Sequence, residues 1–237
     1  MNPSIEGLRF TDATTSCLEA LRRAAATSGG PIERHSARVF FIMEALARSV
    51  SAQIDREVAA CAALLHDIGL YDAAARPHFY LRHGRISAQQ VVSAFRWEED
   101  RLRRCLDAIE RHHRLTPQWD LGEEVELLRL ADLVDASRGT VTLGLDRRWL
   151  RWLFSSISRR GLQRELLRHS MRGAPCITRG LIGTLINAPR RQVSQPLAVQ
   201  RSHRTSPQTT APSTASIPMR GSNKRNRFTG KTIGRRG

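Results

Sequence analysis

The sequence predicts an all-α domain of about 170 residues followed by a basic, disordered tail. Three observations carry that reading. Apolar residues recur at helical spacing almost everywhere before residue 170, and no stretch alternates with period two for long enough to form a strand. The breakers Pro31, Gly69, Pro77, Pro117 and Gly122 fall between the periodic segments rather than inside them. The composition then changes abruptly: residues 171–237 hold six of the ten prolines, fourteen Ser or Thr and no acid. Such a segment cannot bury enough apolar surface to offset chain entropy.

Helices are expected at 12–27, 32–50, 54–66, 83–95, 97–113, 123–136 and 145–169. In 32–50 the inward stripe runs His35, Val39, Ile42, Met43, Leu46, Val50. In 54–66, Ile54, Val58, Cys61, Ala62 and Leu65 lead into His66-Asp67, and Ile68-Gly69 ends the helix. In 97–113, Leu102, Cys105, Leu106 and Ile109 are followed by His112 and His113. In 123–136, Val125 and Leu128 continue at the same spacing to Asp132 and Asp135. No internal repeat is visible.

Charge divides the chain in the same place. The formal balance is +16, but residues 1–170 carry 25 Arg and all 22 acids, close to neutrality, whereas the tail holds 13 Lys and Arg. A nucleic-acid reading therefore attaches only to the tail, as weak, non-specific contact with phosphates; the ordinary alternative is a solvated tail. Cys17, Cys61, Cys105 and Cys176 form no CxxC pair, so neither a disulfide framework nor a zinc ribbon is expected. The N-terminus shows no basic start followed by an apolar run, and the longest apolar stretch, Val58 to Leu65, is far short of the ~20 residues that cross a bilayer. A cytoplasmic protein without membrane contact is the expectation; oligomeric state is left open.

Four helices thus aim imidazoles or carboxylates at one interior. A lone histidine on an apolar face is ordinarily a hydrogen-bonded core residue. Several buried acids and imidazoles without a common partner, however, would cost many kcal/mol. A divalent cation resolves the conflict by accepting every one of them as a ligand.

The order His35…His66-Asp67…Asp132 resembles the HD superfamily of metal-dependent phosphohydrolases. The doublet stands in Ala63-Leu64-Leu65-His66-Asp67-Ile68-Gly69, the last acid in Leu130-Ala131-Asp132, and His35-Ser36-Ala37-Arg38-Val39 looks like the family's first motif. The resemblance covers about residues 30–140 and implies an HD-domain helical bundle. His83-Gly84-Arg85-Ile86-Ser87-Ala88 and Ala108-Ile109-Glu110-Arg111-His112-His113 are similar to the two-metal, bacterial symmetrical dinucleoside-tetraphosphatase branch, as are Asp135 and Arg138 after the Ala-Asp. The Gly-Tyr-Pro segment of cyclic-dinucleotide phosphodiesterases is absent after Arg114.

What the resemblance implies is a hydrolase for a phosphate ester or phosphoanhydride, with a nucleotide as the substrate class, using a metal-activated water. His35, His66, Asp67 and Asp132 would hold one ion. Asp67 would bridge to a second, held by His83 and His112 with His113 in reserve. Fe, Mn, Zn, Co and Ni all suit such ligands, as one ion or two. Asp67, His83 and Arg138 are the expected catalytic residues, and Arg38, Arg114 and Arg138 the candidate phosphate clamps. A competing resemblance runs from Ala131 through Arg138-Gly139 to Ser158-Arg159-Arg160-Gly161-Leu162 and points to single-metal, cyanamide-hydratase-type proteins, with Asp135 as terminal ligand. Oxygen-dependent cleavage and a non-catalytic nucleotide-binding regulatory domain complete the alternatives.

Overall fold

A computed structural model describes residues 3–71 and 80–171, with side chains through residue 167. The chain divides into two units, 1–199 and 200–237, of which only the first contains described residues. The predicted tail, 172–237, with Cys176, lies outside them.

Among the described residues there are eight α-helices and no strand: α1 (Asp12–Ala25), α2 (Pro31–Ser49), α3 (Arg56–Leu65), α4 (Tyr80–Val92), α5 (Glu99–Arg111), α6 (Glu123–Ala136), α7 (Arg147–Ser156) and α8 (Leu162–Met171). Four of the starts have a local cause. Thr11 forms a reciprocal capping box with Thr14, Pro31 occupies the first turn of α2, and Asp55 and Asp146 accept backbone N–H groups at the starts of α3 and α7.

The bundle is arranged around α3. Every residue from Val58 to Leu65 is buried, and the helix packs against α1, α2, α5 and α6. Its continuous apolar surface is therefore what a central helix requires. Truncating Leu64 or Leu65 to Ala would cost about 2–5 kcal/mol. α2 lies along α6, and α4 along α5. His66, which caps the end of α3, is consequently delivered to the middle of the bundle.

One expected element is divided. The single helix predicted for 145–169 is α7 and α8, separated by a turn in which Ile157 is extended and Gly161 has φ +90°. The turn's carbonyls are held from α2. Arg34 Nε donates to Ser158 O at 3.1 Å and its Nη2 to Arg160 O at 2.8 Å, while Arg38 Nη1 donates to Ser158 O at 2.9 Å and Ile157 O at 3.3 Å. Carbonyls taken by guanidinium groups are not available to a helix ladder, so the helix stops.

α4 begins at Tyr80 and crosses the turn after His66-Asp67 at very short range. A Cβ on Gly69 would stand 2.2 Å from Tyr80 O and 2.6 Å from Gly84 N, so only glycine fits there.

Candidate metal centre

His66 and His112 occupy equivalent places. Each is the residue that ends its helix, and each donates Nδ1–H to the carbonyl three residues earlier: His66 to Ala63 O at 2.8 Å, His112 to Ile109 O at 2.7 Å. The last carbonyls of a helix lack intrahelical donors, so a terminal imidazole satisfies one. The same bond leaves the Nε2 lone pair pointing away from the helix, toward the space between α2, α3, α5 and α6. His35 reaches that state by another route, through Nδ1 to Asp135 Oδ2 at 2.7 Å.

The Nε2 atoms of His35 and His66 are 3.1 Å apart. With both Nδ1 protons committed, two lone pairs face one another, an arrangement that requires a proton or a cation between them. His35 Nε2 also lies 3.3 Å from Asp132 Oδ1 and 3.6 Å from Asp67 Oδ2, and His66 Nε2 is 3.4 Å from the same Asp67 oxygen. On the other side, His113 Nε2 is 3.3 Å from Asp132 Oδ2. His112 Nε2 is buried without a hydrogen-bond partner; its nearest carboxylate oxygen, Asp67 Oδ1, is 3.7 Å away, beyond hydrogen-bond range.

Among the described residues, three groups of donors are close enough to hold an ion: His35, His66 and Asp132; His66, Asp67 and His112; and His112, His113 and Asp132. They overlap, forming one continuous cluster of six side chains. All but His113 are buried. The donor set, imidazole nitrogen plus carboxylate oxygen, suits a first-row divalent metal.

The electrostatics fit that reading. Burial would lower the His35 pKa, but hydrogen bonds and charge from Asp132 and Asp135 outweigh it and push His35 up to about 9. His66 is also raised, burial being outweighed chiefly by the Asp67 charge. Burial alone would raise Asp67 and Asp132, yet the surrounding imidazoles hold both well below the usual carboxylate range. His112 goes the other way: burial, reinforced by His113, pushes it down to about 4, so it is neutral with its Nε2 lone pair available.

Asp135 stands behind this cluster. Its Oδ1 accepts from Arg38 Nε at 2.7 Å and forms an ion pair with Arg159 Nη1 at 2.9 Å, and its Oδ2 accepts from Arg38 Nη2 at 3.0 Å and His35. Both oxygens are occupied, and Asp135 joins none of the three groups. Arg38 is fully buried and directed to Asp135 and the α7–α8 turn, a different place from the phosphate clamp expected of it. Arg114 and Arg138 are exposed. Arg138 has φ +57°, and the Gln163 amide, with its oxygen turned toward the guanidinium, accepts from it at 3.3 and 3.2 Å. His83 lies half-buried on α4 and belongs to none of the three groups.

Two contributors escaped the sequence reading. Tyr80 is buried with its hydroxyl 2.6 Å from His113 Nδ1, and burial, with the Asp67 and Asp132 charges, holds its pKa well above the ordinary phenol value. Arg159 reaches Asp135 from the α7–α8 turn. The segment Ser158-Arg159-Arg160-Gly161 was visible as a motif, but its direction toward Asp135 depends on the helix break.

Comparison with protein families matches one segment of the chain. Residues 32–137 match the family model described as HD domain. No curated protein and no solved structure matches the chain. The matched segment runs from α2 to the end of α6, and all six clustered donors fall within it. Domains of this family bind divalent metals and are generally metal-dependent phosphohydrolases, although some are non-catalytic. Among the described residues no helix is long and apolar enough to cross a membrane.

Proposed function

We propose that the HD domain of this chain is a metal-dependent phosphohydrolase that cleaves a phosphate ester or phosphoanhydride, with a nucleotide as the substrate class. The observation that carries the reading is the convergence of ring nitrogens on one buried space: His35 and His66 face each other through Nε2 at 3.1 Å, and His112 Nε2 is buried without a partner. A structural core has no use for such an arrangement, whereas divalent cations accept all of these donors at once.

His35, His66, Asp67 and Asp132 would hold one ion. Asp67 and Asp132 both reach toward the second half of the cluster, where His112 and His113 would hold another. At that second position the geometry favours His113 over His83, because His113 shares a donor group with His112 and Asp132. Asp135 keeps the His35 ring aimed inward and, with both oxygens already accepting, serves the centre through that histidine. When bound, such cations lower the pKa of a coordinated water and neutralise charge on phosphoryl oxygens.

The chain's own groups supply orientation and exclusion of bulk water. Buried Asp67 and Asp132 are ionised and accept protons only at low pH. Arg114 and Arg138, exposed on segments that directly follow His112-His113 and α6, are suited to grip phosphate oxygens in bidentate fashion. His83, on α4, is tested by adding His83→Ala to the same experiment, where a drop in bound metal from two ions to about one would make it a ligand. Protein purified without chelator is analysed for metal and then screened against nucleotides and generic phosphodiesters with added Mn, Fe, Co, Ni or Zn. The expected result is metal in wild type, hydrolysis with at least one ion, and loss of both in His66→Ala and Asp67→Ala. Undiminished metal stoichiometry in those two variants would reject the site, and bound metal without hydrolysis would reject the reaction.

A further inference from the structure

His113 differs from the other three clustered histidines. His35, His66 and His112 each have Nδ1 fixed by a carboxylate or a main-chain carbonyl. His113 lies one residue beyond the end of its helix, is half-buried, and meets a side-chain hydroxyl instead: Tyr80 Oη is 2.6 Å from its Nδ1. The two rings stand edge to face with centroids 5.9 Å apart.

We propose that Tyr80 is a positioning residue of the metal centre, fixing the His113 ring so that Nε2 faces the Asp132 carboxylate and can take an ion. This role rests on reading the cluster as a metal centre and names a residue that completes it. When His113 Nδ1–H donates to the Tyr80 hydroxyl, the only other ring nitrogen, Nε2, presents its lone pair 3.3 Å from Asp132 Oδ2. An outer partner of this kind sets both the tautomer and the aim of a ligand histidine.

The position of Tyr80 is itself fixed. Its own carbonyl lies against Gly69, where a Cβ would approach to 2.2 Å, and Gly84, one turn further along α4, closes the same crossing. The turn that carries His66-Asp67 therefore determines where the first turn of α4 sits. Through Tyr80, it also determines where the His113 ring sits, although 46 residues separate His113 from Asp67 in the chain. A buried tyrosine hydroxyl needs a partner, and this one has the imidazole.

The test uses the full chain and Co(II), read by titration and by the visible absorption of the bound ion. Tyr80→Phe removes the hydroxyl and keeps the ring, and its melting temperature in chelator serves as the control for packing. The expected result is Co(II) affinity at one position weakened by about 10–100-fold, with an altered absorption band and a chelator-treated melting temperature close to wild type. In a His113→Ala background the same substitution should change affinity less than twofold, because the ring it acts through is gone. Two results would overturn the role: Tyr80→Phe binding Co(II) as wild type does, or an equal loss in the His113→Ala background. Wild type that takes up no Co(II), Mn(II) or Zn(II) would overturn the metal centre as well, so the two failures are distinguishable.

Discussion

Asp132 and Asp135 lie three residues apart on α6, and exchanging each for Asn should separate their roles. The Asp135 carboxylate accepts three hydrogen bonds, from His35 and from two nitrogens of Arg38, pairs with Arg159, and is fully buried, as is Arg38. An Asn amide supplies one oxygen and turns an NH2 group toward guanidinium donors, leaving Arg38 buried without a counter-charge. Breaking a buried pair in this way costs about 3–5 kcal/mol. At roughly 2–4 °C per kcal/mol for a domain of this size, the chelator-treated protein should melt about 6–20 °C lower. Because His35 loses its Nδ1 acceptor, metal affinity should fall about 10–100-fold without disappearing. Asp132→Asn removes a cluster donor whose oxygens lie 3.3 Å from His35 and from His113 and pair with no guanidinium among the described residues, so metal uptake should vanish while the chelator-treated melting temperature moves by a few degrees at most. Differential scanning calorimetry in chelator, paired with metal titration, reads both quantities. If Asp135→Asn abolished metal binding and left the metal-free fold intact, Asp135 would be a ligand and the account of its saturated oxygens would be wrong.

Proton linkage gives a second expectation. With His35 raised from 6.5 to about 9, its contribution to the stability of the metal-free protein is complete below pH 6.5 and lost as pH rises through about 9. Urea titrations in chelator should therefore show stability declining across that window, while metal affinity rises in the same window as protons leave the site. A flat profile in both would refute it. Gly69→Ala should lower the melting temperature and weaken metal binding, since its Cβ would meet main-chain atoms at 2.2 and 2.6 Å, an overpacking cost of about 1–3 kcal/mol. Gly84→Ala, with nothing nearer than 3.4 Å, should be neutral or stabilising by up to about 1 kcal/mol, as measured by the same melts. A chain ending after Met171 should keep its metal, and any nucleic-acid affinity of the full chain should be lost with the tail and fall steeply with salt.

The parts of this site that were legible in the sequence are those whose position follows from a helix alone. His66 and His112 stand where an apolar stripe ends, and Asp132 continues one, so periodicity points all three inward. His35 leads a stripe in the same way. Asp135 satisfied the same spacing as Asp132, and only tertiary contacts, two arginines arriving from α2 and from the α7–α8 turn, tell the two acids apart. The split of 145–169 was illegible for a related reason. Gly161 is present, but a single glycine is tolerated in a helix, and what stops this one is Arg34 and Arg38, more than a hundred residues away in sequence. Tyr80 was missed because it precedes the helix expected at 83–95; its meaning comes from the Gly69 crossing.

The terminal histidines of α3 and α5 give the site a kinetic character. Their rings lose rotational freedom when the helices form, since the same Nδ1 bonds cap the last turns. An arriving cation then meets nitrogen donors already in place, and only bound protons have to leave. Exchange of one divalent ion for another should proceed with little rearrangement of the polypeptide, so that the ion found in the protein reflects which metal was abundant where it was made.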